Sequence, residues 1–386
     1  MPVVLALGTA QTLAWGSTYY LPAILAPAQA RDLGCSTTWI FGAFSAALVL
    51  SACVGPLAGR FIDRHGGRGL LAATNLIFAA GLTLVALADG FTGLVAGWLV
   101  IGLGMGMGLY EGAFAALTAL YGRAARGPIT GTTLLAGFAS TICWPLSAVM
   151  EAHVGWRMTC LVWAVAHLLL GWPLNRFGIP RLEGASASVF VSPVEPPPVV
   201  ARRTLIVLAV VFAATWFTST AMAAHLPMLL QLAGASVPTA VAAAALVGPA
   251  QVLARLIEAS LLQRQHPLFS ARLACAAHPV GAFALLGCGA PAAIPFALLH
   301  GAGNGILTVA KGTLPLALFG PVGYGLRQGL LMVPARIAQA SAPLLFGWLI
   351  VEYGASALWC SAGIGAIAWL ALLLGIRQPV GARAGI

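Results

Sequence analysis

About twelve apolar stretches, each long enough to cross a membrane, follow one another along the 386 residues of this chain. A spanning helix needs roughly 20 apolar residues, and the strand alternation of a membrane barrel is absent. The sequence therefore predicts an all-α membrane protein, with spans near residues 2–25, 39–59, 69–88, 91–119, 127–150, 156–177, 203–230, 238–262, 272–290, 293–319, 326–350 and 355–376.

Charged residues make up only 7% of the chain, against 60% hydrophobic residues, whereas soluble domains carry about 25% charged residues. The formal net charge of +10 arises from arginines in alternate loops, after the predicted even-numbered helices. The positive-inside rule places those loops and both termini in the cytoplasm. The Arg-rich, Ala/Gly-rich composition fits a bacterial protein, so we predict a bacterial inner (plasma) membrane location and no nucleic-acid partner. The loop arginines are Arg60, Arg64, Arg68, Arg123, Arg126, Arg176, Arg181, Arg202, Arg203, Arg264, Arg272, Arg327, Arg377 and Arg383.

Between residues 178 and 202 the composition changes to Ser, Glu and Pro. The run Pro196-Pro197-Pro198 is incompatible with a helix, so we predict a cytosolic Pro-rich linker. It separates an N-terminal six-helix bundle, residues 1–177, from a C-terminal one, residues 203–386.

The two halves resemble each other at an offset near 200 residues. Tyr20-Leu21-Pro22 is echoed by His225-Leu226-Pro227, and Glu111-Gly112 by Lys311-Gly312. Pro145 likewise matches Pro343. Repeated halves related by an axis along the membrane normal are typical of secondary transporters, which bind substrate between the halves near the bilayer midplane.

The loop after helix 2 reads Gly59-x-x-x-Asp63-Arg64-x-Gly66-Gly67-Arg68. This pattern resembles the signature of the major facilitator superfamily. The resemblance implies twelve helices in two pseudo-symmetric six-helix bundles. It also implies a gating role in which the aspartate caps or pairs near a helix terminus of the neighbouring bundle; a solvated basic loop is the alternative. The gating residues are then Gly59, Asp63, Arg64, Gly66 and Arg68.

A finer resemblance is to the monocarboxylate and oxalate/formate branch of the superfamily. Tyr121-x-x-x-x-Arg126-x-x-x-x-Gly131 is similar to that branch's entry to helix 5, and Arg255 with Gln251 one turn earlier is similar to its anion-binding helix. Helix 1 departs from the branch, since it lacks the acidic start and the lysine of some members. The Gly-Pro motif of drug/proton antiporters is absent from helix 5, which disfavours a multidrug transporter.

Five ionisable residues fall inside predicted spans: Glu111, Arg255, Glu258, Lys311 and Arg336. Such residues are costly in a membrane and tend to mark substrate or ion paths. The resemblance places their helices, 4, 8, 10 and 11, around the cavity. All but Glu258 lie about 8 to 10 residues from the predicted cytosolic helix ends, or roughly 12–15 Å, so we expect them near one level. Their summed charge of plus one favours an anion, and arginine holds a carboxylate through two hydrogen bonds.

Each of these charges also has a plainer explanation. Arg255 and Glu258 are three residues apart on one helix and can pair locally. Glu111 and Lys311 occupy equivalent positions and can pair across the cavity. Arg336 can be a packing residue satisfied by carbonyls. A buried glutamate without a partner holds a proton at neutral pH, which makes Glu111 our candidate for proton coupling.

Aromatic and neutral polar residues on the lining helices complete the predicted substrate site. Tyr20 and His225, near corresponding helix ends, form an outer gate in this interpretation, whereas interface anchoring is the alternative for Trp and Tyr. His167 and His278, on outer helices, are predicted to be structural. The run Gly102-x-Gly104-x-Gly106-x-Gly108 lies in an apolar span and predicts close helix packing. The predicted substrate-binding residues are Arg255, Lys311, Arg336, Gln251, Tyr110, Tyr20, His225, Asn304 and Trp15.

The sequence thus predicts a secondary active transporter of a small organic anion, a carboxylate, coupled to protons and working by alternating access as a monomer. Efflux of amphipathic drugs or metabolites is the alternative. A membrane sensor or chaperone would need a sizeable soluble domain, which we do not expect here. No nucleophile–base motif, Walker motif, CxxC pair or zinc spacing occurs, so we predict neither an enzyme nor a cofactor.

Overall fold

A computed structural model describes residues 1–181 and 199–376, and those residues are helical apart from short connections, with no strand among them. The chain divides into two compact units. The first, which we call the N-terminal unit, contains Met1–Val194 and Phe319–Val333. The second, the C-terminal unit, contains Glu195–Leu318 and Pro334–Ile386. Most of the predicted linker 178–202, and the C-terminal segment with Arg377 and Arg383, lie outside the described residues.

The N-terminal half contains six spans, several of them interrupted. The first span consists of two segments, Pro2–Ser17 and Pro22–Asp32, with a break between them. Pro22 has no backbone N–H, so it cannot donate the hydrogen bond that would continue the first segment. The helical run Ala139–Ala166 turns at Gly155, whose φ of 78° lies in the left-handed region. This turn separates the fifth span from the sixth. The spans are α1 (Pro2–Ser17, Pro22–Asp32), α2 (Thr37–His65), α3 (Gly67–Ala86), α4 (Phe91–Gly108, Tyr110–Tyr121), α5 (Arg126–Ala136, then 139–154) and α6 (156–166, the π-helical His167–Gly171, Trp172–Gly178).

The C-terminal half adds six more spans. They are α7 (Val199–Leu232), α8 (Val237–Ala245, Val247–Ile257 and the π-helical Glu258–Leu262), α9 (Pro267–Cys288), α10 (Ala293–Phe319), α11 (Tyr324–Tyr353) and α12 (Ala357–Gly375). Eight helical stretches of the described chain are long and apolar enough to cross a membrane. Of these, Phe91–Gly178 contains three spans and Tyr324–Gly375 contains two, and the interrupted α1 supplies the twelfth. The prediction of an all-helical, twelve-span protein is confirmed.

The glycine run of α4 packs against two neighbouring helices at once. A Cβ at Gly102 would lie 2.5 Å from the carbonyl oxygen of Ala47 in α2, and one at Gly104 would lie 2.7 Å from the ring of Phe78 in α3. In the C-terminal half, Gly305 of α10 meets the backbone of α8 in the same way. Close approach of helix backbones compensates for the missing hydrophobic drive between helices in lipid, so the prediction of a packing role is confirmed.

Large apolar side chains cover the outside of the helices. Leu169 on α6 and Leu374 on α12 are 74% and 77% exposed. Trp359 and Phe283 are also exposed at the contact between α9 and α12. So extensive an apolar surface is unfavourable in water and suits contact with lipid chains.

A buried histidine joins three helices of the N-terminal unit. The Asn75 amide donates to the Leu71 carbonyl at 2.9 Å, so its oxygen faces His167 and accepts from Nδ1–H at 2.9 Å. The other ring nitrogen, Nε2, lies 2.7 Å from the hydroxyl of Ser17, which also lies 2.7 Å from the Leu13 carbonyl oxygen. Both nitrogens of His167 therefore have polar protein neighbours at hydrogen-bonding distance, and the predicted structural role agrees with this arrangement.

We expect His167→Ala to lower the unfolding temperature by about 5 °C or more. The substitution leaves a cavity and removes the partners of Ser17 and Asn75, which together cost about 2–4 kcal/mol. Fluorescence-detected melting of the detergent-purified protein measures the effect. His153→Ala is the matched control, because His153 is exposed and bonds only to a carbonyl of its own helix. Equal melting of the two variants would contradict the structural role.

Candidate functional site

An aromatic cluster forms in the N-terminal unit where α1 and α4 are both interrupted. Trp15, at the end of the first α1 segment, lies 4.8 Å from the ring of Tyr110, which opens the second α4 segment. Tyr110 stacks on Phe114 at 5.2 Å, and Tyr20 lies in the α1 break 5.8 Å from Trp144 of α5. Breaks in spanning helices are common at transporter binding sites. The structure thus brings together three predicted site residues, Trp15, Tyr20 and Tyr110.

Glu111 lies in the first turn of the second α4 segment, after the break at Leu109. Its side chain is half-buried and within electrostatic range of Tyr324, at the start of α11. The free N–H groups of a helix start carry partial positive charge and stabilise a carboxylate. Glu111 thus lies beside the backbone N–H groups that open the second α4 segment.

Two cations of the C-terminal unit share one aromatic ring. Lys311 Nζ of α10 lies 3.9 Å from the ring centre of Trp216 in α7, and the Arg336 guanidinium of α11 lies 5.6 Å from the same centre. Both cations are buried. Arg336 also donates to the Gln339 amide oxygen at 3.0 Å. The Trp216 cluster, which consists of Trp216, Lys311, Arg336 and Gln339, therefore concentrates positive charge among α7, α10 and α11.

Arg255 is 4% exposed, and its guanidinium is only partly hydrogen-bonded. Its Nη2 donates to the Gln251 amide oxygen at 3.4 Å. The Nε–H and an Nη1–H are buried and make no hydrogen bond to any described residue. The structure also shows no ion pair between Arg255 and Glu258 within the described chain, although they are three residues apart. A buried guanidinium with unmet donors is unfavourable unless an anion supplies the acceptor.

Two further predicted residues, His225 and Asn304, lie in different surroundings. His225 donates from Nε2 to the carbonyl of Pro343 at 2.9 Å, which ties α7 to α11. Asn304 of α10 lines a small internal cavity of the C-terminal unit, together with two histidines. His225 thus has a local packing partner, and Asn304 belongs to a separate polar group.

The Asp63 carboxylate caps the N-terminal end of α11. Its Oδ1 accepts from the N–H of Gly325 and its Oδ2 from the N–H of Leu326, both at 2.8 Å. The first N–H groups of a helix have no intrahelical partner, so one carboxylate satisfies two of them. Arg327, one residue further on, donates to the carbonyl of Val322 at 3.1 Å. These residues all belong to the same compact unit as α2.

Glycines let α2 and α11 touch at this cap. A Cβ at Gly59 would overlap the carbonyl of Gly325. At the start of α3, Gly66 has a φ of 79°, a left-handed conformation that favours glycine. Arg68 donates from Nε to the carbonyl of Arg176 at 2.6 Å and so joins α3 to α6, while Arg64 is exposed.

Sequence reasoning did not identify His300 and Tyr324 as site residues. His300 lies 3.0 Å, Nδ1 to Nδ1, from His278, and Tyr324 lies near both Glu111 and Asp63. The available signal for His300 was its position directly before the alternating glycines Gly301, Gly303 and Gly305 of α10. Nothing in the sequence near Tyr324 sets it apart from an interface tyrosine.

Residues 7–299 match the model of the Major Facilitator Superfamily. The chain belongs to the major facilitator superfamily. It is accordingly a multi-pass membrane transporter. No curated protein sequence matches it significantly.

Solved structures of the superfamily share this fold. The human organic anion transporter MFSD10 (TETRAN) aligns with a TM-score of 0.72 at 19% identity, over 96% of this chain and 98% of the other. A single-site variant of the Escherichia coli fucose:proton symporter FucP aligns with a TM-score of 0.72 at 16% identity, over 97% and 98%. At these identities the likeness shows the fold alone, and membership of the monocarboxylate branch stays a prediction.

Proposed function

We propose that this superfamily member is a proton-coupled secondary transporter of a small organic carboxylate, working by alternating access. The observation that carries the proposal is Arg255, a buried guanidinium with two kinds of N–H that meet no described residue. A carboxylate supplies acceptors for such donors, and charge-assisted hydrogen bonds of this kind are strong. Arg255 is therefore the proposed substrate anchor.

The Trp216 cluster supports an anionic substrate independently. Lys311 and Arg336 add two positive charges to the same unit as Arg255, both on one indole ring. In a low-dielectric interior these charges act over longer distances than in water. One structural neighbour is described as an organic anion transporter, which is consistent with the proposal.

Counterflow in proteoliposomes tests the substrate class. Vesicles containing the full chain are loaded with unlabelled acid, and entry of ¹⁴C-labelled formate, oxalate, lactate, pyruvate or benzoate is followed at equal pH on both sides. Saturable counterflow of at least one acid, without counterflow of labelled fucose or tetraphenylphosphonium, is the expected result. Counterflow of the organic cation and none of the acids would contradict the proposal.

Glu111 is the proposed proton carrier of the cycle. We expect Glu111→Gln to retain counterflow and to lose accumulation driven by a pH gradient, since glutamine keeps the size and polarity of the side chain but carries no exchangeable charge. The measurement compares both assays in the same vesicles. Glu352→Gln is the control, because Glu352 is exposed on α11. Accumulation by Glu111→Gln at the parent rate would refute the coupling role.

The arrangement of loop arginines supports a bacterial inner-membrane location with both termini in the cytoplasm. A membrane-impermeant maleimide tests it by labelling single cysteines introduced at Arg123 and at Asp89 in a variant whose seven native cysteines are replaced by serine. In intact cells only the second position should react.

The aromatic cluster favours one other substrate class. Trp15, Tyr20 and Tyr110 offer ring faces that suit amphipathic drugs or metabolites. Efflux of such compounds predicts that Trp15→Ala impairs transport more than Arg255→Ala does. The carboxylate proposal predicts the opposite order, and benzoate in the panel probes a substrate with both features.

A further inference from the structure

A small, partly open polar cavity lies in the C-terminal unit, among α7, α9, α10 and α12. Its volume is about 30 Å³, and its polar lining includes Thr215, Thr218, Ser219, Asn304, His278 and His300. A cavity needs about 10–15 Å³ to hold one water molecule. The space therefore suits one or two waters.

Two buried imidazoles meet beside this cavity. The Nδ1 atoms of His278 and His300 are 3.0 Å apart, and the rings are 8% and 5% exposed. A neutral imidazole carries one hydrogen, so one ring nitrogen donates and the other accepts. A hydrogen bond between two Nδ1 atoms requires that one ring is the Nδ1–H tautomer and the other the Nε2–H tautomer.

The remaining nitrogen of His278 distinguishes this pair from a packing histidine. Nε2 of His278 is buried and makes no hydrogen bond to any described residue. In the N-terminal unit, by contrast, both nitrogens of His167 are bonded to protein groups. A buried polar nitrogen needs a partner, and His278 itself lines the cavity. The cavity thus provides the place where a water reaches Nε2.

We propose that His278 and His300 form a proton relay for the transport cycle, fed by water in this cavity. A proton binds Nε2 of the ring that carries Nδ1–H, and the shared hydrogen moves across to the other Nδ1. The second ring then releases its Nε2 proton to a second water molecule. One proton enters and one leaves, and both rings end neutral with their tautomers exchanged.

The surroundings favour passage of the proton over its storage. The titratable group that shares the lining is Cys275, one turn before His278 on α9, and Lys311 of α10 lies within electrostatic range of Cys275. The α7 side presents hydroxyls and the α12 side presents Gly365, so no carboxylate lines this cavity in the described chain. Burial without a counter-ion disfavours an imidazolium, which makes the charged state brief.

The relay rests on the proposed proton coupling, and His278→Gln and His300→Gln test it in proteoliposomes with the full chain. The probes are the ¹⁴C-labelled acids of the counterflow panel, with internal pyranine to report proton flux. We expect counterflow at equal pH within twofold of the parent, and proton flux and accumulation under a pH gradient reduced at least tenfold. His153→Gln, at an exposed histidine, should match the parent in both assays.

Three outcomes overturn the relay. Parent-like accumulation in His278→Gln and His300→Gln shows that no proton passes through the pair. Equal loss of counterflow and accumulation in these variants and in His278→Asn and His300→Asn shows a structural role. Nitrogen-15 spectra of the histidines in nanodiscs give a readout that needs no substrate: two Nε2–H tautomers in the pair would exclude the shared hydrogen. If the parent exchanges acids but never accumulates them, the proposed proton coupling itself is wrong. That result is distinct from the three outcomes that refute the relay alone.

Discussion

Replacing Arg255 with alanine should weaken carboxylate transport by at least about thirtyfold in kcat/KM. Truncation of one partner of a buried, hydrogen-bonded charge pair costs about 2–5 kcal/mol, and each 1.4 kcal/mol is a factor of ten. Lysine at this position keeps the charge but not the planar donor array, so we expect Arg255→Lys to recover only part of the loss. Counterflow at several substrate concentrations measures both.

The same substitution should leave the stability of the substrate-free protein unchanged or higher. Nε and Nη1 of Arg255 meet no described residue, so the fold loses little when they are removed. The rise in unfolding temperature that the transported acid produces in the parent should disappear, because a ligand stabilises the state that it binds.

Arg272 provides the opposite control in the same unit. Its guanidinium donates to the carbonyls of Leu372 and Ile376, at 3.1 Å and 2.7 Å for Nη2, and so fastens α9 to the end of α12. Arg272→Ala should lower the unfolding temperature and leave the KM of folded protein near the parent value. If Arg255→Ala instead destabilises the protein while the KM is unchanged, Arg255 is a structural residue and the anchor assignment fails.

Replacing Gly59 with alanine should reduce the transport rate at least tenfold. The added methyl overlaps the Gly325 carbonyl, and overpacking of this kind costs about 1–3 kcal/mol. The start of α11 must then move away from α2, which lengthens both hydrogen bonds of Asp63. About 1.4 kcal/mol shifts a two-state equilibrium tenfold. In a cycle that alternates between docked and released α11, the substitution therefore strongly favours the released state.

Gly55 is the matched control for Gly59. It lies one turn earlier on the same face of α2, and a Cβ there would meet no atom of α11 closer than 3.9 Å. Gly55→Ala should therefore transport at the parent rate. Asp63→Asn should resemble Gly59→Ala, because asparagine has one acceptor oxygen for two N–H donors. Similar rates for Gly55→Ala and Gly59→Ala would show that the contact between α2 and α11 does not limit the cycle.

Much of the fold was predictable because membrane insertion is a local requirement. Each span must be apolar over its own length and satisfies its backbone within itself, so twelve spans follow from twelve apolar stretches. The glycine run of α4 also predicted its packing role. The interruptions were less visible: the predicted first span, 2–25, breaks at residues 18–21 and continues to Asp32.

The candidate site was predictable in part. Ionisable residues are so rare in these spans that Arg255, Lys311 and Arg336 stand out by type alone. Which charged residues pair with one another was not predictable. The helical spacing of Arg255 and Glu258 favours an ion pair, but the two form no ion pair in the described chain. The sequence predicts only a structural role for His278, because its neighbour His300 lies 22 residues away on another helix.

The sequence by itself determined the number of spans, the repeated motifs of the two halves, the superfamily pattern around Asp63 and which charged residues fall within apolar stretches. These are properties of short segments, set by the free energy of placing each side chain in lipid. The tertiary structure alone decided that Lys311 and Arg336 share Trp216, that Asp63 caps α11, and which nitrogens of Arg255 and His278 have no hydrogen-bond partner among the described residues. Those outcomes depend on atoms brought close together from distant parts of the chain, where helix breaks and backbone contacts fix the side-chain positions.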